Sequence, residues 1–76
     1  MKTFTDRDPW AGLSVVQREI VEALLDGVPV GEIRRRQRIG HSRINQHIHH
    51  LAERFGARSK KPESVVMALV RYQRAA

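Results

Sequence analysis

Arg34, Arg35, Arg36, Arg38, Arg43, Arg54, Arg58, Lys60 and Lys61 crowd into one stretch of the chain, with Glu53 the only acid among them. The chemistry open to such a stretch is the holding of a polyanion. Guanidinium and ammonium groups neutralise phosphates, and their concentration in one segment gives the footprint. The net charge of the chain is +6, and residues 34–61 carry more than all of it, because residues 1–33 are net acidic. Four histidines, His41, His47, His49 and His50, fall inside the same stretch. His47 and His50 are spaced to share one metal ion. A zinc site, however, normally takes four ligands, and neither a cysteine nor a well-spaced acid completes this one. His47 is expected beside the apolar stripe as a partly buried, hydrogen-bonding residue. No glycine-rich phosphate loop is present and the acids are scattered over helix surfaces, so neither catalysis nor a cofactor is expected.

What must position these groups is small. A chain of 76 residues forms one domain with a modest core. It has no cysteine, so helix packing, with or without dimerisation, must supply the stability. No apolar run approaches the roughly 18 residues of a membrane span. The N-terminus lacks the apolar core of a signal peptide, so the expected location is the cytoplasm and no membrane partner is expected.

The pattern predicts four helices. Residues 1–12 are expected as a flexible arm, punctuated by Pro9 and Gly12, with Trp10 folding back onto the core. Residues 13–76 form the domain. The first helix is predicted over Val15 to Asp26, capped by Ser14 with Gln17 completing a capping box. Its apolar residues Val16, Ile20, Ala23 and Leu24 recur at helical spacing, and Gly27 stands where a left-handed residue ends a helix. The second is predicted over Val30 to Arg38, with Pro29 in its first turn and Ile33 in the core; Gln37 stands where an apolar residue is expected. In the linking turn, Ile39 plugs the core and Gly40 permits the bend. The third runs from His41 to Phe55. Ile44, Ile48, Leu51 and Phe55 form its narrow apolar stripe, and Ser42, Arg43, Gln46, His49, His50 and Glu53 lie opposite, with Asn45 at the edge. The fourth is predicted from Pro62 to Gln73. Val65, Leu69 and Tyr72 seal it against its own domain, while Val66, Met67 and Val70 form a second strip that asks for another partner.

A helix, a short turn with glycine and a second helix with a polar outer face describe a helix-turn-helix. Leu13-Ser14, Arg18-Glu19-Ile20, Leu24, Gly27, Glu32-Ile33, Ile39, Ile44, His47, Ile48, Leu51, Phe55-Gly56 and Arg58-Ser59 resemble the LuxR/GerE-type DNA-binding domain. The resemblance runs from Leu13 to about Lys60 and resumes in the fourth helix. It implies an all-α, four-helix domain that reads double-stranded DNA through the major groove and pairs as a homodimer through the fourth helix. It also implies base-edge contacts from Asn45, Gln46 and His49. Chemically, Asn and Gln can bond bidentately to adenine, and Arg43 can take guanine or phosphate. Ser42, His50, Arg54, Arg58, Lys60 and Lys61 are cast as phosphate contacts, which position without specifying. The chain departs from the family pattern at Arg34, where the family has a small residue, and at Gln37, where it has leucine. It departs again at Pro29, Gly40, Arg43 and Asn45, and Lys61 looks like an insertion before the fourth helix. A divergent, stand-alone transcriptional regulator of phage or bacterial type is the expectation. The competing reading is a small protein-binding adaptor, of the kind a phage encodes, that contacts RNA polymerase or a host regulator. RNA binding ranks below both, because A-form RNA offers no major groove of suitable width.

Overall fold

The computed structural model describes residues 10–75. They fold into four α-helices: α1 (Val15–Leu25), α2 (Val30–Gln37), α3 (His41–Phe55) and α4 (Pro62–Ala75). Among the described residues there is no strand, and no helix is long and apolar enough to cross a membrane. Of the expected arm, residues 1–9 lie outside the described residues. Residues 10–12 form a turn, closed by Leu13 N donating to Trp10 O at 3.3 Å.

The start of α1 is set by the expected capping box. Ser14 Oγ accepts from Gln17 N at 3.1 Å, and Gln17 Oε1 accepts from Ser14 N at 3.3 Å, so two of the donors that a helix start leaves open are satisfied.

The first three helices end in one way. At the end of α1, Gly27 is left-handed (φ +81°), Gly27 N donates to Leu24 O and Val28 N donates to Ala23 O, both at 3.0 Å. At the end of α3, Gly56 is left-handed (φ +70°), Gly56 N donates to Glu53 O at 3.4 Å and Ala57 N to Ala52 O at 2.8 Å. This paired closure is the Schellman motif, normally completed by a glycine. At the end of α2 the same two bonds form, Arg38 N to Arg35 O and Ile39 N to Arg34 O, each at 3.2 Å. There the left-handed residue is Arg38, with φ +57°. The sequence expectation that Gly40 supplies the bend is therefore corrected. Gly40 is extended (φ −83°, ψ 176°) and serves as N-cap of α3, a conformation open to any residue. Asp26 and Arg38, expected as last helical residues, are the caps beyond α1 and α2. Pro29 precedes α2 as its N-cap rather than opening its first turn, and α4 continues past Gln73.

In each closure the next residue turns inward. Val28, Ile39 and Ala57 all pack against the core from outside the helices. The core itself joins Leu13, Ile20, Val21 and Leu24 to Ile33, and these to Ile44, Ile48, Leu51 and Ala52 of α3 and Val65 and Leu69 of α4. Helix α3 packs most extensively on α4, and α1 lies between α4 on one flank and α2 on the other. That double contact explains why Val21 is fully buried while Val16 is only half-buried. Gln37 stays at the margin of the core because its Nε2 donates to Glu19 Oε1 at 2.8 Å, a polar tie between α2 and α1. Trp10 does fold back. Its indole meets Phe55 edge-on at 5.2 Å and Tyr72 at 6.3 Å, and Phe55 meets Tyr72 at 5.7 Å.

The left-handed Arg38 gives a stability test. An L-residue with a side chain is strained there, and glycine is not. Arg38→Gly should raise unfolding stability by about 1 kcal/mol, read as a higher urea midpoint at constant slope. Gly40→Ala meets no clash and no backbone strain, but exchanges a fair N-cap for a poor one and should lower stability by about 0.5–1 kcal/mol. The reverse order would contradict the turn described here.

Candidate nucleic-acid interface

Helix α3 divides sharply into two sides. Ile44, Ile48, Leu51 and Ala52 are buried. Ser42, Arg43, Asn45, Gln46, His49 and His50 are all exposed. None of these six side chains makes a hydrogen bond or ion pair among the described residues. Their donors and acceptors are open to an outside partner, on a helix whose other side is locked in the core. The N-terminal end of α3 adds to this. Its N-cap, Gly40, has no side chain to bond the first backbone N–H groups, which leaves the positive end of the helix dipole uncovered.

The basic residues around this face are not equally available. In α2, Glu32 binds Arg35 at 3.2 Å and Arg36 at 3.4 Å. The bond from Arg35, followed by the charges of Arg35 and Arg36, holds the Glu32 carboxyl below the usual carboxylate range. Lys60 Nζ lies 3.4 Å from Glu53 Oε2 with both side chains largely exposed, so the single acid on the outer side of α3 is answered by a lysine from the next loop. Lys61 N donates to Ser59 Oγ at 3.3 Å, and the hydroxyls of Ser59 and Ser64 are 2.6 Å apart. These bonds fix the entry to α4. Arg58, Lys60 and Lys61 are exposed around it. The Arg54 guanidinium lies against Gly12, so closely that a side chain at Gly12 would displace it.

Arg34, counted from the sequence among the polyanion-binding cations, has a structural role here. Half-buried, it donates from Nη1 to the Ile39 carbonyl at 3.4 Å, and its Nε is buried with no partner. It thereby braces the turn that sets α2 against α3. A bond from one helix to the carbonyl beyond its own C-terminus leaves no periodic trace in the sequence. His47 is half-buried as expected, but its Nδ1 is buried without a partner. Burial, with smaller contributions from the charges of Arg43 and His50, pushes its pKa below the ordinary value. Among the described residues no group of three or more His, Cys, Asp or Glu side chains is placed to hold a metal ion. On α4, Val65 and Leu69 are fully buried. Val66 is half-buried against the core, and Met67 and Val70 are exposed at 61% and 37%.

Comparison with protein-family models, with curated proteins and with solved structures finds no match to this chain.

The depressed His47 pKa has a defined sign in stability. The folded state disfavours the proton, so its contribution is present above the unfolded pKa and is lost as pH falls through the folded one. Denaturant titrations should show stability falling from about pH 7 to about pH 5. His47→Leu, which also removes the orphaned nitrogen, should flatten that slope. An unchanged slope would place the pH dependence elsewhere.

Proposed function

We propose that this chain is a sequence-specific double-stranded-DNA-binding regulator of the LuxR/GerE type, with α3 lying in the major groove. The observation that carries this reading is the unpartnered polar side of α3, set back-to-back with a buried stripe. A rigid helix that keeps Arg43, Asn45, Gln46 and His49 free has no structural use for them, whereas each can bond base edges. Ser42, His50, Arg54, Arg58, Lys60 and Lys61 stand at its borders as phosphate contacts. Lys60 reaches phosphate by exchanging its bond to Glu53, an exposed pair that costs little to open. The resemblance in sequence and the succession of four helices support the same assignment, with α2 and α3 as the reading unit. In this reading two copies pair through α4 and present their α3 helices to successive major grooves, roughly 34 Å apart, on an inverted repeat.

With about five phosphates neutralised, log K should fall against log salt with a slope of about −4 to −5. Mobility-shift titration measures it, and a flat response would rule out the proposed contacts. Gln46→Ala should cost about 1–3 kcal/mol at one base position and relax preference there, while Lys60→Ala should weaken all sequences alike. Selection from a random duplex library distinguishes the two. Full preference retained by the Gln46 variant would mean that α3 is docked in another way.

A further inference from the structure

We infer that the exposed face of α4 docks on the same face of a second copy in a single antiparallel register, with Met67 on the two-fold axis and Glu63 of each copy against the partner's Arg71. The inference rests on the α4 pairing proposed above and specifies its geometry. Glu63, Met67, Val70 and Arg71 share one exposed strip of the helix. Beside the strip lies a surface pocket of about 170 Å³ lined by Arg58, Ser64, Met67 and Arg71. Two guanidinium groups thus face one concavity whose lining contains no acid. Neither arginine makes a hydrogen bond or ion pair among the described residues, and neither does Glu63. The face therefore carries an unanswered carboxylate, Glu63, near the start of α4 and an unanswered cation, Arg71, eight residues further along it.

A two-fold axis through Met67, perpendicular to α4, exchanges residues at equal steps on either side of it. Three steps map Ser64 onto Val70, and four map Glu63 onto Arg71. The helix residues of the pocket, Ser64, Met67 and Arg71, therefore meet the partner's Val70, the partner's Met67 and the partner's Glu63. The exposed apolar side chains of one copy fill the pocket of the other, and the carboxylate arrives at Arg71. Parallel pairing would set Glu63 against the partner's Glu63 and Arg71 against the partner's Arg71, and like charges across an interface suppress that arrangement. Charge selects the antiparallel orientation, and the apolar pair fixes the register.

The chain has no cysteine, so single cysteines report the register directly. Met67→Cys, on the axis, should form a disulfide-linked dimer readily under mild oxidation, because facing helix positions come within the roughly 7 Å that a disulfide needs. Val70→Cys should not link to itself, since antiparallel pairing offsets its two copies by about 9 Å along the helix. A mixture of Ser64→Cys and Val70→Cys chains should give the mixed dimer. Glu63→Arg and Arg71→Glu should each weaken self-association roughly tenfold, measured by sedimentation, and the double variant should restore it. Linking of Val70→Cys as fast as Met67→Cys, or no linking by any variant, would overturn the register. Binding to a single half-site duplex separates the two proposals. If it persists while the linking pattern fails, the register falls and the DNA reading stands. If the linking pattern holds without DNA binding, the register stands alone.

Discussion

Ile44, Ile48 and Leu51 are each at most 2% exposed, and every other placement in this domain follows from the need to bury them on one side of α3 alone. Each such side chain contributes about 1.5–3 kcal/mol when withdrawn from water, which a chain without disulfides cannot forgo. Helix α4 supplies the widest cover, and α1 closes the core between α4 and α2. Because the cover comes from one side, the opposite side of α3 is left bare from Ser42 to His50. The polar face does not need separate engineering. It is what remains when a narrow apolar stripe is clamped, and its chemistry is set by which residues occupy the remaining positions.

Short helices need firm ends, and here one device ends three of them. After α1, α2 and α3 the chain passes through a left-handed residue and then sends a side chain, Val28, Ile39 or Ala57, back to the core. The closure joins local backbone bonding to tertiary packing, so a helix boundary and a core contact form together. Helix α2 relies on this most. Only Ile33 is buried in it, Val30 packs partly buried against the core, and two polar contacts add to these, the Gln37–Glu19 bond to α1 and the Arg34 brace to Ile39. An element with so little buried surface belongs to the low-stability end of a domain, and α2 depends on its two turns for its setting.

The helix boundaries were legible because they are written locally. Ser14 and Gln17, Gly27, Pro62 and Gly56 each act within a few residues, and α3 runs over the span its periodicity predicts. Its exposed residues were legible for the same reason, since a single stripe leaves one opposite side. What stayed hidden depends on contacts between segments. Gln37 looked like a flaw in an apolar pattern until Glu19 of another helix was found beside it. Val21 is missing from the periodic set Val16, Ile20, Ala23 and Leu24 because α1 faces two neighbours, and one period cannot describe two burial directions. Arg38 was overlooked because Gly40, two residues later, is the more obvious carrier of a bend. Whether the face of α3 meets a partner is a different kind of question, and composition alone speaks to it only through charge.

The meeting of Trp10, Phe55 and Tyr72 joins three places in the chain: the turn before α1, the last residue of α3, and α4 two residues beyond Val70. Trp10 is the only tryptophan. Its ultraviolet emission therefore comes from one spot, where the end of the α3 helix abuts α4. An event that shifts α4 against α3 alters the ring stacking and so the colour and yield of that light, whereas an event confined to the far, N-terminal end of α3 leaves it dark to the change. The protein thus carries an intrinsic optical gauge of whether its two longest helices stay in contact.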